Sequence, residues 1–245
     1  GGGGQPADGG WVEEREVLGL SGDEEVVHLL QRPIEGKGPG EEVRVRVDPR
    51  RRRASAQQHT GQHIVSACLV KAGGYQTISV HMGEDTMTVE SPVPTIPEDR
   101  LRETERLANE LVCRNVPVRT HLVDAEGLAR FSLRRPAGGR DSYRIVEIEG
   151  HDASACGGVH VTRTGDVGLV ACVGRARLGG NCRTIWLVEA RAYRAYARTR
   201  ALLRGAGAEL SVHPREVLDA VRRLKAEAAT LRAEAAAHDA AAAAA

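Results

Sequence analysis

The chain has 245 residues, 41% hydrophobic and 27% charged, with a formal net charge of +1. That length and apolar content support one large or two modest domains with a sizeable core, and no disulfide is needed to fold them. Near-neutrality excludes nucleic-acid binding through an overall basic field and leaves only a local basic surface, while 3% aromatic residues argue against a base-stacking platform.

Residues 11 to 48 hold short alternating stretches, EEVVHLL and EEVRVRV, in which Val43, Val45 and Val47 face one way and Arg44 and Arg46 the other. This period of two, punctuated by EGKGPG, predicts an antiparallel sheet or a small barrel. DPRRRRAS then leads into a helix, for which Ser55 and Gln58 form a capping box. Its buried stripe is expected at Ile64, Val65, Cys68 and Leu69, and Gly73 with Gly74 ends it.

In YQTISVHMGEDTMTVE the alternation puts Gln76, Ile78 and Val80 on one side and Thr77, Ser79 and His81 on the other, a strand with one polar face. Thr95 and Glu98 frame the start of a second helix, with Pro97 in its first turn and Leu101, Ala108, Leu111 and Val112 at core spacing. VPVRTHLV and YRIVEIEG predict two more strands, and GDVGLVACVGRARLGGNCRTIWLVEA a hairpin or meander. Strands and helices mix without a regular βαβ alternation, so the fold class is α+β. From Pro214 onward, Val217, Val221, Leu224, Ala228, Leu231 and Ala235 recur alternately four and three apart. That is the seam of a long helix that packs on a partner, whether a second copy, another macromolecule or the first module.

Five scattered cysteines, Cys68, Cys113, Cys156, Cys172 and Cys182, follow no apolar signal segment, which points to a reducing compartment and hence the cytoplasm. No apolar run approaches the roughly 20 residues of a membrane span. The chain starts without methionine in a glycine cluster and ends in an alanine run, so both termini are read as incomplete.

The stretch with most chemistry is HTGQH. A helix advances about 100° per residue, so His59 and His63 project from one face about one turn apart, close enough to grip one ion. Such a pair alone fits a metal half-site or a partly exposed surface pair. CGGVH supplies a second pair, Cys156 and His160, with Gly157 and Gly158 allowing the tight turn that converges a thiolate and an imidazole. If both pairs face one cavity, His₃Cys is a ligand set for zinc; otherwise Cys156 is a buried thiol and His160 a loop histidine. Cys68, Cys113, Cys172 and Cys182 sit in apolar contexts without metal spacing and are assigned to the core.

HTGQH followed about ninety residues later by CGGVH resembles the zinc-binding signature of the alanyl-tRNA synthetase editing domain and of stand-alone alanyl-tRNA editing proteins. The opening GGGGQPAD is similar to the glycine-rich segment of their small N-terminal barrel. VDPRRRRASAQQHTGQHI resembles the junction to their editing domain, and IPEDRLRETERLANELVCRNVPV the helix crossing its sheet. The likeness covers residues 3 to 192. It implies an incomplete N-terminal β-barrel over 1–52 and a zinc-dependent editing domain over 53–192, and the remainder, 193–245, reads from its own pattern as a helical extension with an alanine-rich tail.

The activity implied is hydrolysis of mischarged tRNA(Ala), chiefly carrying serine and also glycine, with one Zn²⁺ per chain on His59, His63, Cys156 and His160 and the tRNA(Ala) acceptor end as partner. Four protein ligands close a tetrahedral zinc, so catalysis by the ion requires five-coordination, a displaced ligand, or an ion that only orders the pocket. His81 is the candidate contact to the amino acid or water, with local hydrogen bonding as its alternative. Thr60 and Thr77 are candidates for the serine hydroxyl, and Gly157 and Gly158 for the substrate pocket. The family usually has threonine where this chain has Val159, which bears on specificity or rate.

The run Arg50, Arg51, Arg52 and Arg53 precedes the histidine helix, where it meets acceptor-stem phosphates or simply faces solvent; Arg175, Arg177 and Arg183 are weaker candidates. The expected protein is a freestanding trans-editing hydrolase. The alternatives are a fragment of an alanyl-tRNA synthetase and a catalytically silent tRNA-binding protein with structural zinc. The C-terminal seam is assigned to a homodimer or a partner helix.

Overall fold

The computed structural model describes residues 4–22 and 25–244. The first three glycines of the opening motif, Glu24 of EEVVHLL and the last alanine lie outside them. The chain divides into two compact units, Gly1–Ala192 and Tyr193–Ala245.

The first unit begins with β1 (Gly10–Val12), β2 (Arg15–Ser21), β3 (Val27–Leu30) and β4 (Val45–Val47). They form an antiparallel sheet in the order β3-β2-β1-β4. The Arg46 guanidinium lies 4.1 Å above the Trp11 ring across the β1–β4 pair, a cation–π contact that helps hold the edge strand. Of the two expected forms, an antiparallel sheet or a small barrel, the first is observed and no closed barrel is formed among the described residues. Strands β3 and β4 are the two edges, and among the described residues no pairing joins them. Val43, Val45 and Val47 are therefore exposed instead of facing a barrel interior.

Helix α1 (Pro49–Gly73) follows. Its cap is Asp48, whose carboxylate accepts from the N–H groups of Arg50 and Arg51 at 2.8 and 3.3 Å, with Pro49 preset for the first turn. Ser55 and Gln58, expected as a capping box, lie inside the helix and are buried. Gly74 closes the other end at φ 74°, in the left-handed region. The expected stripe of Ile64, Val65, Cys68 and Leu69 is buried. So are the polar Gln57, Gln58, His59, Thr60, Gln62, His63 and Ser66, because the helix is covered on several sides by α2, a sheet and β9.

The chain continues through β5 (Ser79–Met82), β6 (Met87–Ser91), α2 (Glu98–Arg114), β7 (Val118–Asp124), α3 (Ala125–Leu128), β8 (Ser142–Ile148), β9 (Asp152–Ala155), β10 (Val170–Leu178) and β11 (Asn181–Val188). A second antiparallel sheet has the order β10-β11-β6-β5, with β10 and β11 as the expected hairpin, and a third the order β7-β8-β9. The α+β class is thus observed. Helix α2 starts at Glu98 after Pro97 with no side-chain cap, so Thr95 does not form the expected box.

One core joins these parts. Ile64, Val65 and Leu69 of α1 and Leu101, Ala108 and Leu111 of α2 meet Val89, Trp186 and Val188 of the second sheet and Val146 and Ile148 of the third. At about 25 cal/mol per Å² of apolar surface, each of the Val, Leu and Ile side chains contributes on the order of 1.5–3 kcal/mol. Cys68 and Cys182 are in this core and Cys172 at its margin, but Cys113 is exposed on the outer side of α2, against expectation.

Helix α4 (Ala190–Glu209) runs into the second unit, where a 3₁₀ turn at Pro214–Glu216 leads to α5 (Val217–Ala244). His213 and Glu216 cap that turn reciprocally. Leu218, Val221, Leu224 and Leu231 of α5 are exposed. No helix among the described residues is long and apolar enough to cross a membrane.

Candidate metal centre

His59 and His63 face the same way from α1, with ring centroids 5.3 Å apart, and both are buried. Cys156 and His160 lie on the loop leaving β9, half-buried. This loop is fixed by β8. Arg144 receives the Cys156 N–H on its carbonyl oxygen at 2.9 Å, and its guanidinium donates to the carbonyls of Cys156 and Gly158 at 2.7 and 2.8 Å.

The two pairs meet. One ligand atom from each of His59, His63, Cys156 and His160 lies within 4.8 Å of the other three. Sγ of Cys156 is 3.3 Å from Nε2 of both His59 and His160. The edge of a tetrahedron with metal–nitrogen and metal–sulfur bonds of about 2.0 and 2.3 Å is about 3.5 Å, so the donors have the spacing and chemistry of a zinc site.

Each imidazole has a polar partner near its other nitrogen, hydrogen-bonded for His59 and His160. Nδ1 of His59 donates to Oε1 of Gln5 at 2.9 Å. That oxygen also accepts the Val159 N–H at 3.0 Å, which identifies it as the carbonyl end of the amide and puts the His59 proton on Nδ1. Nδ1 of His160 lies 3.1 Å from Oγ1 of Thr60, which also accepts the Val161 N–H at 3.2 Å. Nδ1 of His63 has no well-aligned hydrogen bond but lies 3.3 Å from Oδ2 of the buried Asp152. Asp152 is held in turn by Arg134 at 2.8 Å and by the Ser154 hydroxyl at 3.1 Å. Outer partners of this kind fix the tautomer and ring direction of a ligating histidine, leaving Nε2 for the ion.

The electrostatics of Cys156 and His160 agree. Burial opposes the Cys156 thiolate, but hydrogen bonds from His160, His59 and His63 outweigh it and bring the thiol down to about 3. Burial lowers His160 to about 4, so its imidazole is neutral and able to ligate. Burial also opposes charge on His63, yet Asp152 and then Cys156 raise it. By contrast burial pushes Cys68 up to about 12 and Cys172 up to about 11, so these remain inert thiols.

His59, His63 and Cys156, but not His160, line a cavity of about 280 Å³ together with Gln62, Thr77, Val80, Arg134, Arg135 and Pro136. Thr77 lines it and donates to Ser66 at 2.8 Å. Thr60 does not. It is fully buried, with its hydroxyl against the His160 ring and away from the cavity lining. His81 is also displaced from its expected place. β5 begins only at Ser79, so the alternation does not extend back to Thr77, and Val80 faces the cavity while His81 is exposed outside its lining. Gly158 is required by close approach, since a Cβ there would be 2.1 Å from Cε1 of His59; Gly157 faces open space.

The basic run is divided. Arg52 forms a two-point ion pair with Asp8 at 2.8 and 2.6 Å, and Arg53 lies 3.9 Å from Asp166. Arg50 and Arg51 line a second cavity, of about 490 Å³, with Arg191 and Glu84. Arg175 pairs with Glu98 and Arg183 with Glu90, while Arg177 donates to the Gly179 carbonyl. Gln5, Asp152, Arg134 and Arg144 were missed as site residues; Gln5 lay in plain view in the opening motif, but nothing in the sequence tied it to a histidine 54 positions away.

This region is related to tRNA synthetases. Residues 143–183, which include Cys156 and His160, match the Threonyl and Alanyl tRNA synthetase second additional domain. The chain is a member of the group formed by alanyl-tRNA editing proteins and the matching parts of alanine–tRNA ligases. It is 30% identical over 230 residues to alanyl-tRNA editing protein Aarsd1-A of Xenopus laevis, covering 91% of this chain and 55% of that protein. It is 37% identical over 186 residues to the alanine–tRNA ligase of Korarchaeum cryptofilum, covering 72% of this chain and 21% of the ligase. With that of Methanopyrus kandleri the identity is 32%, covering 91% and 26%. The chain thus spans about half the length of the curated editing proteins it matches.

Proposed function

We propose that this chain hydrolyses the ester of mischarged tRNA(Ala), chiefly Ser-tRNA(Ala) and secondarily Gly-tRNA(Ala), acting in trans in the cytoplasm with one Zn²⁺ on His59, His63, Cys156 and His160. The observation that carries this is the convergence of those four donors beside a cavity that His59, His63 and Cys156 line, in a chain related to alanyl-tRNA editing proteins. A zinc ion held there would supply a Lewis acid for an ester carbonyl or an acidified water if it took a fifth ligand or released one of the four, and would otherwise order the pocket. The protein supplies orientation. Gln5, Asp152 and Thr60 hold the three imidazoles, and Arg144 holds the Cys156 loop.

Thr77 is the residue assigned to the serine hydroxyl. Its own proton goes to Ser66, so its oxygen keeps lone pairs for a donor in the cavity. A site built around that bond discriminates against alanine, which lacks the hydroxyl. Arg50 and Arg51 are assigned to acceptor-stem phosphates, and the exposed seam of α5 to a second copy or a partner helix. A second reading, that the chain is the corresponding part of an alanine–tRNA ligase, is favoured by its alignment to 21% and 26% of two such enzymes.

The test is deacylation of Ser-tRNA(Ala) and Ala-tRNA(Ala) by the native protein and Cys156→Ala, with zinc content measured for each. Fast release of serine, slow release of alanine, and loss of zinc and activity in the variant are expected. A zinc-loaded native protein that leaves both esters intact overturns the hydrolase.

A further inference from the structure

The cavity over the metal centre has two adjacent arginines in its wall, and they are not equivalent. Arg134 is built into the framework. Its N–H donates to the Ala153 carbonyl at 3.0 Å, its Nε to Asp152 at 2.8 Å and its outer nitrogen to Ser154 at 3.1 Å. Leu133 and Ala137, on either side, pack against the cluster of Tyr143, Ile145 and Ala153. The segment is therefore fixed on β8 and β9, and Arg135 is presented at the cavity from a rigid support. Arg135 is exposed and, among the described residues, has no carboxylate or carbonyl partner.

Charge makes this specific. Among the described residues no carboxylate lines the cavity, and Asp152 behind it is matched by Arg134. A divalent ion with one thiolate and three neutral imidazoles carries a further net positive charge. The cavity thus favours an anion, whereas the aminoacyl group of the proposed substrate brings an ammonium. The nearest anion on such a substrate is the phosphate at the 5′ oxygen of the esterified nucleoside, on the same ribose as the ester. A cavity of about 280 Å³ is at the small end of small-molecule sites, the scale of one ribose and its substituents.

We infer that Arg135 is the binding residue for the 5′-phosphate of the nucleotide that carries the ester, placing the ribose between that phosphate and the metal centre. This rests on the proposed editing function for the identity of the nucleotide; the anion site itself rests on the cavity.

The test uses the zinc-loaded full chain and adenosine 5′-monophosphate, adenosine and inorganic phosphate as probes in titration calorimetry. The monophosphate is expected to bind about tenfold more tightly than adenosine and than phosphate, the lower end for one charge-assisted hydrogen bond. Arg135→Gln should reduce that preference to about twofold with zinc content unchanged, and Arg135→Lys should restore part of it. An Arg50→Gln/Arg51→Gln variant should keep it. The inference is overturned if the native protein does not distinguish monophosphate from adenosine, if phosphate alone binds as well as the nucleotide, if Arg135→Gln keeps the preference, or if the Arg50/Arg51 variant loses it. Preference without deacylation would remove the hydrolase and leave the anion site; deacylation without preference would do the reverse.

Discussion

Nδ1 of His59 donates to Oε1 of Gln5 at 2.9 Å, and the same oxygen accepts the Val159 N–H at 3.0 Å, so one side chain from the opening segment touches both halves of the metal centre. Outer partners of ligating histidines are worth about 10–100-fold in metal affinity. Gln5→Ala should therefore lower zinc affinity by at least about tenfold, measured by competition with a chromophoric chelator, while the circular dichroism spectrum stays native. Affinity within twofold of native would show that the His59 ring is held by packing alone.

Gly157 and Gly158 make a paired prediction. A Cβ at 158 would lie 2.1 Å from Cε1 and 2.2 Å from Nδ1 of His59, and 2.9 Å from Oε1 of Gln5, while one at 157 meets nothing within 4 Å. Gly158→Ala must displace a ring fixed from both sides, an overpacking cost of about 1–3 kcal/mol together with lost zinc. Gly157→Ala should change neither by much. Chemical denaturation and zinc content of the two variants separate them, and equal effects would contradict the close approach.

Zinc should also be a folding ligand. An ion that binds only the folded chain at 100 times its dissociation constant stabilises by about 2.7 kcal/mol, which is roughly 5–10 °C for a domain of this size. Thermal unfolding of metal-free protein with and without added Zn²⁺ should show that shift, and Cys156→Ala should show little of it. A shift of equal size in the variant would place the bound ion elsewhere.

How much of this was written in the sequence depends on the range of each interaction. The two pairs His59/His63 and Cys156/His160 were legible because a four-residue spacing is local geometry, and the stripe of Ile64, Val65, Cys68 and Leu69 because burial repeats with the helix. What was not legible was decided by tertiary contact. Asp48 outcompeted Ser55 as cap because Pro49 begins the helix six residues earlier. Thr60 reads as a pocket hydroxyl until His160, 100 positions on, is seen to sit against it. His81 fell on the wrong side because the residues between Gly73 and Ser79 are not strand, and a period of two carries no information across irregular chain. The barrel failed for a related reason: alternation specifies a sheet face but not whether a further strand closes it.

The arginines give the last prediction, since the structure divides them into those already paired and those available. Arg52 is bound to Asp8, Arg175 to Glu98 and Arg183 to Glu90, so a phosphate would have to displace a carboxylate at each. Arg50 and Arg51 line a cavity and are not engaged in ion pairs among the described residues. If these two meet tRNA phosphates, each should contribute somewhat under one unit to the slope of log K against log salt concentration. Arg50→Gln/Arg51→Gln should flatten that slope by about one to two units, whereas Arg175→Gln/Arg183→Gln should leave it nearly unchanged. Filter binding of tRNA(Ala) across a salt series reads both. The reverse pattern would move the acceptor stem to the β10–β11 hairpin, where carboxylate exchange would then have to accompany binding.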